Sequence, residues 1–256
     1  MGITTSILDA MAKVLVLVVL ILGLGFSVYY LVFARGVWDG RVRFTVIDTS
    51  DKVEVASFDP KTSQGIKIIF PKNWLIGGVD GKGEWLAGQA DRPDLVADEL
   101  GILYTAAAKH MHWQDRVLWW YWGRRAAWRE VDGTVWMIKA RMVDGAEVWR
   151  LDDTWNAAAR DLLASEAVLE ERLSVTVVNT TGEPGLAARE AQKIENTGMR
   201  VVATQTSEDK ISGCQVRSSK QSKSKIGVKL LVRSLGCSWR EADLGEGEVE
   251  LFLGQR

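Results

Sequence analysis

The chain has 256 residues, 47% of them hydrophobic and 25% charged, with a formal net charge of −1. This composition describes one or two folded domains with a sizeable core and excludes a disordered polymer. The near-zero balance speaks against a nucleic-acid partner, because phosphate binding needs a basic excess; an anionic partner of another kind needs a local patch.

Residues 14–34 run for twenty-one positions without a charge. As a helix they rise roughly 30 Å, the thickness of a bilayer core. They predict a transmembrane helix with the lipid bilayer as its partner, and Tyr29 and Tyr30 suit its interfacial end. The alternatives are a buried soluble helix or a cleaved signal peptide ending near Val32-Phe33-Ala34, but the run is long for either. Arg35, Arg41 and Arg43 follow the run and only Lys13 and the α-amino group precede it, which favours a cytoplasmic C-terminal part.

Residues 42–46, 53–58 and 66–70 are rich in β-branched and aromatic side chains between turn-forming segments, and read as three strands. A glycine-rich loop covers 77–83, and Asp91-Arg92-Pro93 opens a helix through about Lys109, with a break possible at Gly101. Residues 112–128 hold Trp113, Trp119, Trp120, Tyr121, Trp122 and Trp128 among Asp115, Arg116, Arg124 and Arg125, and carry no clear period. A strand at 134–140, a helix from Asp152 or Asp153 to about Leu169, and a charged hinge at Glu170-Glu171-Arg172 complete this part.

The C-terminal part is more regular. Leu173, Val175 and Val177 alternate with polar residues as in a strand, and Gly182-Glu183-Pro184-Gly185 turns into a helix with Ala187, Ala191 and Ile194 on one face, stopped by Gly198. Strands at 200–204 and around Gln215, a helix from about Lys223 to Leu235 and a last strand carrying Val249, Leu251 and Leu253 follow. The order is β-α-β-β-α-β, with two helices on a four-stranded sheet. The expected organisation is therefore an anchor over 1–36, an α/β middle domain over 37–172 and a small α/β domain over 173–256.

The C-terminal run that includes Asn179-Thr180, Gly185-Leu186-Ala187, Gly198-Met199-Arg200 and the closing strand before Gly254 resembles the LytR C-terminal domain. Upstream, 53–61 and 66–73, with Leu100-Gly101-Ile102, resemble the LytR-CpsA-Psr catalytic core. The resemblance implies an extracytoplasmic cell-envelope protein associated with cell-wall glycopolymer. It takes precedence over the arginine count, because a long domain translocates regardless of a few flanking charges.

In the LytR-CpsA-Psr family a Pro-Arg-Asp sequence ends the second strand and serves polyprenyl pyrophosphate and metal, for transfer of glycopolymer onto peptidoglycan. Here the residues are Pro71, Lys72 and Asn73. Lysine lacks the planar fork that grips phosphate, and asparagine brings no charge to a cation. The core therefore reads as degenerate and the protein as a non-catalytic binding or scaffolding module without cofactor. The alternative is a divergent phosphotransferase with Lys72 at the pyrophosphate and Mg2+ present; Asp59 and Asp80 are the carboxylates that would gather there.

Four further features are candidates, each with a plain alternative. Gly182 and Gly185, beside Asn179 and Thr180, can cradle an anion at a helix start or simply make a tight turn. Arg217, Lys220, Lys223 and Lys225 form a basic run that can meet an anionic polymer or remain a solvated loop. Cys214 and Cys237 can form a disulfide outside the cytoplasm or remain thiols. The tryptophan cluster can be an interfacial or sugar-stacking surface or part of the core. His110 and His112 alone make no metal site, and no metal is expected.

Overall fold

The computed structural model describes residues 3–33, 38–50, 52–77, 84–88, 91–142 and 144–255. Ala34, Arg35 and the glycine-rich segment 78–83 with Asp80 lie outside the described residues, as do the side chains of Tyr30, Val32 and Phe33. In chain order the elements are α1 (Ile3–Phe33), β1 (Phe44–Asp48), β2 (Val53–Asp59), β3 (Gln64–Phe70), β4 (Leu75–Gly77), β5 (Glu84–Leu86), α2 (Pro93–Leu100) and β6 (Ala106–Ala107). They continue with α3 (Trp113–Gly123), β7 (Ala127–Asp132), β8 (Met137–Arg141), β9 (Glu147–Leu151), α4 (Thr154–Leu163) and α5 (Glu166–Leu169). The remainder is β10 (Ser174–Asn179), α6 (Leu186–Asn196), β11 (Arg200–Thr206), β12 (Cys214–Ser218), α7 (Ile226–Ser234), β13 (Ser238–Glu241) and β14 (Glu248–Leu253).

The fold is mixed α/β, and one expectation about it is corrected. Side chains of α1 are described over residues 13–29, all of them exposed. Among the described residues no helix is long and apolar enough to cross a membrane. The transmembrane helix over 14–34 is therefore not supported.

Strands β1, β2 and β3 form an antiparallel meander, extended by β6 beside β1 and β7 beside β3, both parallel. Both faces of this sheet are covered, which is why its strands read as nearly continuous apolar runs. Ile47, Val55, Ile68 and Phe70 pack one face against α2 and α4, where the buried Trp155 indole donates to the Leu100 carbonyl at 2.8 Å. Phe44, Val46 and Phe58 face the other way and share one buried cluster with Val175, Ile194 and Leu251 of the C-terminal part.

Several boundaries differ from expectation. α2 stops at Gly101, which takes a left-handed conformation (φ 58°), and the chain continues to β6 instead of remaining helical to Lys109. The helix expected over 152–169 is two, α4 and α5. It breaks where the Ala164 carbonyl accepts from Arg43 Nε (3.0 Å) and the Ser165 amide donates to the Thr197 carbonyl (3.0 Å), so contacts from distant segments replace the helical ladder. The strand expected over 134–140 begins as a 3-10 turn at Gly133–Trp136 and becomes β8, paired with β9.

The second five-stranded sheet has the order β11-β10-β14-β12-β13. β10 is parallel to both β11 and β14, β12 runs antiparallel to β14, and β13 lies parallel to β12 at the edge. The sequence order is β-α-β-β-α-β-β, one strand more than expected. Val175, Val177, Val216, Val249 and Leu251 are buried in one cluster with Ala187, Ala191 and Ile194 of α6 and Val228 and Leu231 of α7. The helix expected from Lys223 begins instead at Ile226, after a 3-10 turn at Ser222–Ser224.

Candidate binding groove between α7 and the edge strand

The start of α7 is fixed from the hinge. Glu171 accepts from the amides of Ile226 (2.6 Å) and Gly227 (2.8 Å), placing a carboxylate at the positive end of the helix. Gly227 is required by packing, since a Cβ there would meet Leu173 Cδ1 at 2.4 Å. The preceding turn is held by serines: Ser219 Oγ bonds Ser222 Oγ at 3.1 Å, and buried Ser222 accepts from the Gly247 amide at 3.2 Å.

With the turn pinned inward, Lys220 and Lys223 stand exposed at its surface. α7 adds two adjacent rows by its i, i+4 spacing, Val228 with Val232 and Lys229 with Arg233. β13 supplies Trp239, whose indole N–H donates to Ser218 Oγ at 3.0 Å and so is tied to the neighbouring strand. These side chains line a groove of about 480 Å³. Its floor is apolar and its rim cationic, and the Lys223 ammonium sits 4.0 Å from the Trp239 ring centroid. Arg233 also lies 3.4 Å from Asp39.

Only part of the basic run predicted from sequence is gathered here. Lys220 and Lys223 line the groove. Arg217 lies on the opposite face of the sheet, 3.9 Å over the Phe252 ring, and Lys225 turns toward Glu246 at 3.8 Å. Lys229, Arg233 and Trp239 were not singled out by the sequence reading. The helical spacing of Lys229 and Arg233 was a usable signal; Trp239 became visible only with β13.

Cys214 and Cys237 form a disulfide, with Cα atoms 4.5 Å apart. It ties the start of β12 to the segment after α7 and so braces one end of the groove.

Asn179, Gly182 and Gly185 line a second depression of about 390 Å³ at the start of α6, with Thr204 and Thr206. Its polar groups serve the turn itself. Asn179 Nδ2 donates to the Glu183 carbonyl (2.6 Å), while its Oδ1 accepts from the Thr181 amide (2.9 Å) and hydroxyl (2.7 Å). Thr180 Oγ1 donates to the Leu253 carbonyl at 2.8 Å. Gly182 and Gly185 have φ of 80° and 78°, so glycine is needed for the backbone path. The Glu183 carboxylate, paired with Arg189, stands at the rim where an anion would approach.

The Lys72 constellation does not assemble among the described residues. Lys72 and Asn73 follow the end of β3, where Phe70 pairs with Val53; Asp59 is at the other end, opposite Gln64. Six residues of strand separate the two ends, about 20 Å. Asp59 is buried, accepting from the Lys61 and Glu166 amides at 2.8 Å each. Asn73 spends its side-chain N–H on the Glu147 carbonyl at 3.1 Å. These residues do not fit a Mg2+ site. His110 and His112 both precede α3, and among the described residues no three His, Cys, Asp or Glu side chains gather as metal ligands.

The tryptophan cluster divides between roles. Trp119, Trp122 and Trp128 pack against the core, whereas Trp113 and Trp120 are exposed.

Taken with its fold, the groove gives this small α/β domain an apolar strip rimmed by cationic side chains. Residues 172–256 match the family model described as LytR cell envelope-related transcriptional attenuator. The match covers the C-terminal domain and fits a cell-envelope-associated module; it does not extend over the strands that resemble the LytR-CpsA-Psr core. No curated protein matches the chain.

Proposed function

We propose that this protein is a non-catalytic, extracytoplasmic binding module of the cell envelope, whose C-terminal domain holds an anionic cell-wall glycopolymer in the groove between α7 and β13. One observation carries the reading: Lys220, Lys223, Lys229 and Arg233 rim a groove floored by Trp239, Val228 and Val232. A phosphate-bearing polyol or sugar chain presents alternating charge and C–H surface. Ammonium groups meet the phosphates while the indole and valines meet the carbon skeleton.

The match at residues 172–256 supports the envelope setting. The phosphotransferase reading finds less support, since Asn73 is occupied by Glu147 and Asp59 lies at the far end of the sheet from Lys72. The disulfide suits an oxidising compartment.

The test is co-sedimentation of the purified protein with cell-wall sacculi that retain or have been stripped of anionic polymer. Retention on intact sacculi alone, lost in Lys220→Glu/Lys229→Glu, is the expected result. Equal retention on stripped sacculi, or retention indifferent to the charge reversals, would reject the groove as the site.

A further inference from the structure

The helix α3 has two faces of opposite character. Gln114, Asp115 and Leu118 are buried, and Trp119 and Trp122 pack on the core. On the other side Trp113, Val117, Trp120 and Tyr121 are 55%, 46%, 59% and 42% exposed. Positions 113, 117 and 120 fall one turn apart on a single helical face, with Tyr121 beside them. Contiguous exposed aromatic surface of this kind marks a contact site, because leaving it in water is costly.

Its rim is cationic. From Arg116 to Arg129 the sequence carries four arginines and no acidic residue. The Arg124 guanidinium lies 4.7 Å from the Trp120 ring centroid and that of Arg125 lies 4.0 Å from Tyr121, so the charges are layered on the aromatic surface itself. Indole and phenol rings at the boundary of acyl chains, with guanidinium groups at phosphate level, are what the interfacial zone of an anionic lipid surface accommodates.

Position in the fold agrees. The exposed apolar side chains of α1 at residues 14–29 belong to a helix that approaches α3. Where the described chain resumes after it, the Trp38 amide donates to Asp115 Oδ1 of α3 at 3.3 Å. Helices α1 and α3 thus approach each other in the fold.

We infer that the Trp113–Val117–Trp120–Tyr121 face of α3 lies on an anionic lipid surface, in the headgroup zone and without crossing it. This contact is separate from the groove between α7 and β13 and does not depend on its ligand.

The test uses tryptophan quenching by brominated acyl chains, with the full chain added to phosphatidylcholine vesicles or to phosphatidylcholine/phosphatidylglycerol vesicles. The sequence of α1 has no tryptophan, so that helix is itself silent in the assay. The wild type is expected to be quenched, more strongly with phosphatidylglycerol. Trp113→Phe/Trp120→Phe should lose most of the quenching, and Arg124→Glu/Arg125→Glu should lose the increment due to phosphatidylglycerol, both with an unchanged circular dichroism spectrum. An unquenched wild type, or quenching equal in wild type and the double phenylalanine variant, overturns the inference. So does lipid-free self-association abolished by the same substitutions, which would make a second copy the occupant.

Discussion

Lys193 of α6 reaches out of the C-terminal domain to Asp98 of α2, with Nζ 2.7 Å from Oδ1, while Glu190 holds the same ammonium at 2.6 Å. Three residues further along, Asn196 donates to the Gly101 carbonyl at 2.7 Å. The α6 surface is therefore a joint between the two sheets, and the shared cluster of Phe44, Phe58, Val175 and Ile194 lies beneath it.

Burial disfavours the charged form of Lys193, but Glu190 and Asp98 together outweigh it and raise its pKa above the ordinary lysine value. Its stabilising contribution is thus complete below that ordinary value and disappears as pH rises through the higher folded one. Lys193→Met should cost about 1–2 kcal/mol at neutral pH. The gap from wild type should close in strongly alkaline buffer, as read by urea denaturation across pH.

At Glu99 the charged form is the disfavoured one. Burial raises its pKa despite the Gly77 amide, which donates to it at 3.3 Å. Ionisation therefore costs stability as pH climbs through the raised value, and no cost exists below the ordinary carboxylate range. Glu99→Gln should melt higher than wild type at neutral pH and together with it at acidic pH, by calorimetry at several pH values.

The disulfide closes a loop with a sequence separation of 23, and loop-closure entropy for that length is worth about 3 kcal/mol. Cys214→Ser/Cys237→Ser should lower the denaturation midpoint by a matching amount. Because the bridge braces one end of the groove, polymer affinity should fall as well.

Asn179→Ala separates the two depressions of the C-terminal domain. It removes three hydrogen bonds from a buried side chain and should cost about 2–3 kcal/mol of stability. Binding at the α7–β13 groove should be unaltered in the folded variant, which a titration below its melting point checks.

How much of this could be read from sequence depended on burial. Strand β10 opens with an alternation of half-buried and buried residues and α6 buries Ala187, Ala191 and Ile194 on one face, so their periods were legible, as was the glycine pair before α6. Strand β13 could not be read, because Ser-Trp-Arg-Glu at an edge has one half-buried side chain and no alternation, and with it went Trp239 and the second wall of the groove. The basic run was legible as charge but not as a site. Neighbours in sequence on β12 and in the following turn point to different faces, whereas Lys229 and Arg233 reach the groove from the helix. Asp59 and Lys72 looked groupable only until the β2–β3 register set them at opposite ends.

Calorimetric titration of the full chain with a poly(glycerol phosphate) oligomer, beside an uncharged polysaccharide of equal length, tests the central claim most directly. Saturable binding of the phosphate polymer alone is predicted, weakened by salt and lost in Lys220→Glu/Lys229→Glu and Trp239→Ala. Equal affinity for the two polymers, or an unchanged isotherm in those variants, would contradict it.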